Sequence, residues 1–173
     1  MLAIGVASLL AAVGVAVATG GRDIRERLTG YEEDPQVLST PANGEFKARV
    51  SRFSERIEYR LSYRGFETDV TQAHIHFGGR HQSGGISVWL CGNPSPTITP
   101  PAGTPTCPLR AGTVEGELEP ADVVGPAGQG IAAGEFEELV DAIRAGVTYA
   151  NVHSGARPAG EIRAQLADDR GGR

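Results

Sequence analysis

Much of the chain alternates between apolar and polar residues with a period of two. The clearest alternation runs over 56–64 (RIEYRLSYR), where Ile57, Tyr59, Leu61 and Tyr63 take every second position. This period is typical of a β-strand with one face in the core and one toward solvent. Similar but shorter patterns predict six more strands, at 45–50, 70–77, 86–91, 112–118, 147–152 and 160–166.

One stretch, 134–146 (GEFEELVDAIRAG), has a helical period instead. Its apolar residues fall at i, i+3, i+4 and i+7: Phe136, Leu139, Val140 and Ile143. Acidic residues at its start and Arg144 near its end agree with the helix macrodipole, so we predict a short helix over about 135–145. Together the elements predict an all-β fold, an antiparallel Greek-key β-sandwich or barrel of 7–8 strands with one short helix.

The composition favours one turn-rich domain and excludes one class of partner. Glycine (24) and proline (11) make up about a fifth of the 173 residues, more than a long-helix protein carries. Lysine and arginine number 16 against 21 acidic residues, so the basic surface that nucleic-acid binding needs is missing. We expect one β domain over 28–167 and a flexible, charged tail at 168–173.

The first residues predict export. Residues 2–18 form an uncharged apolar run in which Ala16 and Ala18 are the small residues that signal peptidase prefers. We therefore expect a signal peptide over 1–18 and no membrane span in the mature form, with an uncleaved anchor as the alternative. The run is shorter than the ~20 residues that span a bilayer comfortably. The predicted location is secreted or cell-envelope, with an unknown extracellular partner or small ligand.

The chain contains two cysteines, Cys91 and Cys107. In an exported chain an even count predicts a disulfide, which would close the base of the Pro-, Thr- and Gly-rich stretch 92–106. A thiolate metal site would need more cysteines or a Cys-x-x-Cys spacing. We therefore interpret the pair as a structural disulfide.

Four histidines are the candidates for a metal site. His74 and His76 lie two residues apart on a predicted strand, so their imidazoles project from one face. His153 lies at the end of a later predicted strand, and His81 follows His76 beyond two glycines. Neutral imidazoles bind copper and zinc at about 2 Å, so these residues are candidate ligands. The alternative is that they are packed, hydrogen-bonded histidines without a metal.

Two charged residues, Glu161 and Arg163, share a strand face with Gln165. They are interpreted as a structural ion pair that fixes strand register, or as charged groups beside the candidate metal site. The sequence shows no Ser-His-Asp pattern, phosphate-binding glycine loop or paired catalytic carboxylates, so we assign no catalytic residue.

Five segments resemble the CHRD domain, a module named after the extracellular antagonist chordin. They are LTGYE (28–32), AHIHFG (73–78), GTVEG (112–116), GVTYANVHS (146–154) and GEIRAQL (160–166). Their order is more specific than any one of them, and they cover nearly the whole chain after the signal segment. The resemblance implies a secreted all-β domain. It does not imply growth-factor binding, because the cysteine-rich modules of chordin are absent.

A weaker resemblance is to copper/zinc superoxide dismutase. It implies that His74, His76 and His153 are copper ligands and that Arg163 attracts an anion. The long zinc loop of that family has no counterpart after His76. Our leading hypothesis is a non-enzymatic binding module that binds copper or zinc. The alternatives are a copper-dependent, dismutase-like redox enzyme and a structural or adhesive extracellular module.

Overall fold

Eight strands, one α-helix and three short 3-10 helices form the regular structure of the computed structural model, which describes residues 22–51, 53 and 55–166. The strands are β1 (Arg22–Thr29), β2 (Asn43–Ser51), β3 (Arg56–Arg64), β4 (Val70–Phe77), β5 (Gly85–Gly92), β6 (Gly112–Leu118), β7 (Thr148–Ser154) and β8 (Ile162–Leu166). The helix α1 spans Phe136–Arg144, close to its predicted bounds. The predicted signal segment, 1–18, and the predicted tail, 168–173, lie outside the described residues.

The strands form one antiparallel sheet in the order β5-β4-β7-β8-β1-β2-β3-β6. The two edge strands, β5 and β6, also contact each other, so the sheet nearly closes into a barrel. The predicted all-β class is therefore confirmed, in its barrel form. None of the helices in the described residues has the length and apolar character that a membrane span requires.

The first strand, β1, was absent from the predicted elements. It pairs with β2 along its whole length, from Arg22 opposite Val50 to Thr29 opposite Asn43. Its sequence, RDIRERLT, places only Ile24 and Leu28 as apolar residues among charged ones, and these two are buried. Pairing with a neighbour, rather than a hydrophobic pattern of its own, makes this segment a strand.

The barrel interior is apolar, and residues of the helix and of the disulfide pack against it. Phe46 and Ile75 from the strands and Leu139 from α1 belong to one buried cluster. Cys91 and Cys107 form the predicted disulfide, with sulfur atoms 2.07 Å apart, and both are buried in the same cluster. The bridge therefore ties the 92–106 connection to the barrel wall.

The opposite face of β7 and β8 is buried as well. Every residue of these two strands is buried, although alternate side chains must point away from the interior. The outward side chains are polar, and connecting segments cover them. We call this set, together with the two histidines of β4, the polar layer; it comprises His74, His76, Tyr149, Asn151, His153, Arg163 and Gln165.

Candidate metal centre

Three histidines of the polar layer converge on one point. His74 and His76 lie on β4 and His153 lies on β7, and one ring nitrogen from each falls within 4.8 Å of the others. The rings are buried: their exposed fractions are 0%, 8% and 5% in that order. The structure therefore brings His153 to the two histidines of β4, which were expected to project from one face.

Strand geometry explains this convergence. His74 and His76 are two residues apart on a strand, so they project from the same face. Antiparallel pairing of β4 with β7 places Asn151 opposite His74 and His153 opposite Gln72. His153 is therefore a diagonal neighbour of His74 on the shared face, which is within reach of an imidazole. The ring centroids of His74 and His153 are 5.1 Å apart.

Backbone carbonyls fix the proton on two of the rings. Nδ1–H of His76 donates to the carbonyl of Gly84 at 2.9 Å, and Nδ1–H of His153 donates to the carbonyl of Pro158 at 3.0 Å. A carbonyl only accepts, so a neutral ring must carry its proton on Nδ1 and a lone pair on Nε2. Metal-binding histidines are commonly oriented in this way by a partner on the other ring nitrogen.

Two ring nitrogens of the cluster have no hydrogen-bond partner, and a third has only another imidazole. Nε2 of His76 and Nε2 of His74 are buried and have no hydrogen-bond partner in the part of the chain that the structure describes. Nε2 of His153 lies 3.3 Å from Nδ1 of His74. Most buried polar atoms in proteins have a partner, so these two unpartnered ring nitrogens are available to a ligand. Imidazole lone pairs suit copper or zinc, and these residues fit such an ion.

Burial also sets the charge of the cluster. Loss of solvent, with a smaller effect from the neighbouring imidazoles, lowers the pKa of His74 to about 2. Burial likewise lowers the pKa of His76 and of His153 to about 4. All three rings are therefore neutral at pH 7, which is the protonation state that a metal ligand requires.

His81 lies apart from this cluster. It is exposed in the connection between β4 and β5, where its backbone takes a φ of 58°. The sequence left open whether His81, which follows Gly78 and Gly79, joins the other candidate ligands. The segment is held against β8, so the structure does not bring His81 to the other three histidines.

Arg163 and Glu161 have separate sets of partners. The buried guanidinium of Arg163 donates to the carbonyls of Gly79 and Gln82, at 2.8 and 3.1 Å. Glu161 accepts hydrogen bonds from the hydroxyl of Thr40, at 2.6 Å, and from the hydroxyl of Ser154. Among the described residues the two make no ion pair with each other. Both therefore fix the segments that cover the polar layer.

Two aromatic residues of the site were missed at the sequence level. The ring of Tyr149 is parallel to that of His76, with centroids 4.8 Å apart, and the ring of Trp89 meets that of His74 edge-on at 4.2 Å. Each is the cross-strand partner of the histidine it touches. The alternation in β7 places Tyr149 and His153 on one face, but only the strand register identifies these contacts.

A buried carboxyl, Glu33, was also missed. It lies after β1 in a covering segment, is 7% exposed, and accepts a hydrogen bond from Nδ2 of Asn151 at 2.7 Å. Loss of solvent raises the pKa of Glu33 to about 7, against the lowering effects of Asn151 and of Arg163. The carboxyl therefore titrates near neutral pH beside the polar layer.

Fold and site together define a class: a nearly closed antiparallel β-barrel with a buried three-histidine cluster outside its apolar interior. The family model of the CHRD domain matches residues 24–166, and the chain belongs to this family. No curated protein matches the chain, and no solved structure does. The family predicted from the sequence segments is confirmed, while the resemblance to copper/zinc superoxide dismutase stays a prediction.

Proposed function

We propose that this CHRD domain is an exported, non-enzymatic binding module that holds copper or zinc through His74, His76 and His153. The proposal depends on one observation above all. Two buried imidazoles have their Nδ1–H groups bonded to carbonyls, and the Nε2 atom of one of them faces the cluster without a partner. A bound metal ion would use these lone pairs.

The energetics favour a ligand over a purely structural cluster. An unpartnered buried polar group costs about 1–3 kcal/mol, and the cluster contains two such nitrogens. Three nitrogen donors match copper and zinc better than magnesium or calcium, which prefer oxygen ligands. The low exposure of the rings favours retention of an ion over turnover of a substrate.

Export is supported by the disulfide. Bridges such as Cys91–Cys107 persist in oxidising compartments and are rare in reducing ones. This agrees with the signal peptide predicted for 1–18. We infer a secreted or cell-envelope location for the mature domain.

The single tryptophan offers a direct probe of metal binding. Trp89 is 4.2 Å from the ring of His74, and the chain has no other tryptophan to obscure its signal. Purified protein is titrated with Cu²⁺ at pH 7 while the fluorescence of Trp89 is recorded. We expect saturable quenching that ends at one equivalent, because Cu²⁺ is paramagnetic, and we expect Zn²⁺ to compete with it.

Two matched variants decide whether the cluster is responsible. His76→Gln removes a buried candidate ligand, and His81→Gln removes the exposed histidine of the neighbouring connection. We expect the first to abolish tight quenching and the second to leave it unchanged, with both folded by circular dichroism. Equal quenching in folded wild-type protein and His76→Gln, or no saturable quenching in wild-type protein, overturns the proposal.

The redox alternative is tested on the same sample. The dismutase resemblance requires Arg163 to attract an anion, but its Nη2 is bonded to two carbonyls and the side chain is 2% exposed. We therefore expect copper-loaded protein to show no dismutation above that of free Cu²⁺. Catalysis that is lost in Arg163→Met would favour the enzyme instead.

A further inference from the structure

Arg163 joins β8 to the connection between β4 and β5. Its Nη2 donates to the carbonyl of Gly79 at 2.8 Å and to that of Gln82 at 3.1 Å. Hydrogen bonds from a charged donor are roughly twice as strong as neutral ones, and here they are shielded from solvent. One side chain thus fixes two points of the 78–84 connection.

The same connection fixes His76. The carbonyl of Gly84 accepts the Nδ1–H of His76 at 2.9 Å. The amide of Gly84 in turn donates to the hydroxyl oxygen of Tyr149 at 3.1 Å. The position of this one residue therefore decides which nitrogen of the His76 ring carries the proton and which keeps a lone pair.

Tyr149 links Arg163 to His76 a second time. The guanidinium carbon of Arg163 is 3.5 Å from the centroid of the Tyr149 ring, a cation–π contact. The ring of His76 lies parallel to that of Tyr149, with an angle of 3° between their planes. Arg163 therefore holds both the carbonyl-bearing connection and the aromatic surface against which His76 is packed.

We infer that Arg163 is a positioning residue for His76: it keeps the 78–84 connection and Tyr149 in place so that Nε2 of His76 faces the metal centre. The effect on metal affinity rests on the proposed function. The effect on the His76 tautomer does not, because it is a property of the metal-free protein.

The test compares Arg163, which binds the 78–84 connection from β8, with Arg80, which belongs to that connection. Arg163→Met removes the buried guanidinium. Arg80→Met removes an exposed one, whose partner is Glu32 at 2.7 Å. The ¹⁵N chemical shifts of His76 are measured in metal-free protein, followed by a Cu²⁺ titration.

In wild-type protein and in Arg80→Met we expect the proton on Nδ1 of His76. In Arg163→Met we expect a mixture of tautomers, and Cu²⁺ affinity lower by about 10–100-fold, the range found when supporting groups of a metal ligand are removed. A folded Arg163→Met protein with the wild-type tautomer overturns the inference.

A milder variant covers the case in which Arg163→Met does not fold. Arg163→Lys keeps the charge but loses the planar guanidinium that lies over the ring of Tyr149, so we expect intermediate tautomer populations; an unchanged tautomer in this folded variant overturns the inference. If wild-type protein binds no Cu²⁺, the proposed function fails, and the tautomer comparison still decides the role of Arg163.

Discussion

Lowering the pH from 7 to 5 should destabilise the metal-free protein. The pKa values of His76 and His153 are lowered by burial from 6.5 to about 4, and that of His74 to about 2. Between pH 6.5 and 4 these rings bind protons in the unfolded chain but not in the folded one. The free energy of unfolding therefore falls as the pH falls.

The magnitude follows from proton counting. Each histidine that is protonated only in the unfolded chain lowers the free energy of unfolding by about 1.4 kcal/mol for each pH unit of acidification. Three such histidines lower it by about 4 kcal/mol per pH unit. Glu33 acts with the opposite sign, because its pKa is raised by burial from 4.5 to about 7 and its folded form binds the extra proton. The net difference approaches two protons as the unfolded histidines become protonated, which predicts that the free energy of unfolding falls by about 3 kcal/mol between pH 7 and 5.

Urea unfolding of chelator-treated protein at pH 7, 6 and 5 measures this loss. His153→Gln should reduce the dependence of the free energy of unfolding on pH by about one proton, because it removes one of the three buried rings. A free energy of unfolding that stays constant to within about 1 kcal/mol over this range, less than the value of one buried histidine, would refute the reasoning.

Three further predictions concern stability, each measured by urea unfolding at pH 7. Gly160→Ala should cost about 1–3 kcal/mol, because Gly160 has a φ of 132° and an added Cβ would lie 2.6 Å from the side-chain oxygen of Asn151; an unchanged midpoint would contradict this. Reduction of Cys91–Cys107, which are 16 residues apart, should cost about 3 kcal/mol; equal stability with and without reductant would speak against it. Leu139→Ala should cost about 2–5 kcal/mol because Leu139 is fully buried, and a loss below 1 kcal/mol would show that α1 is not part of the core.

The sequence predicts strands well where apolar and polar residues alternate strongly. It predicts them poorly where pairing with a neighbouring strand, rather than the pattern of the segment itself, makes the segment a strand. In β3 every second residue is apolar, and its bounds were predicted to the residue. In β1 most positions are charged, and its strand character comes from full pairing with β2. The order of strands around the barrel depends on crossovers between distant segments, which no local pattern encodes.

Part of the candidate site follows from local spacing in the sequence, and the rest depends on strand register and on the conformation of a connection. His74 and His76 share a face because of their spacing, which the sequence contains. That His153 joins them depends on the register of β4 against β7. The separation of His81 from the cluster and the bonds of Arg163 to carbonyls depend on the conformation of the 78–84 connection, and residue types alone do not fix it.

Metal content after loading is the most direct test of the three-histidine site. Protein incubated with Cu²⁺ or Zn²⁺ is desalted and its metal is measured by elemental analysis, beside His76→Gln/His153→Gln protein shown to be folded. We expect one ion per wild-type chain and none in the double variant. Wild-type protein that retains no ion, or a double variant that retains as much as wild type, would contradict metal binding at this cluster.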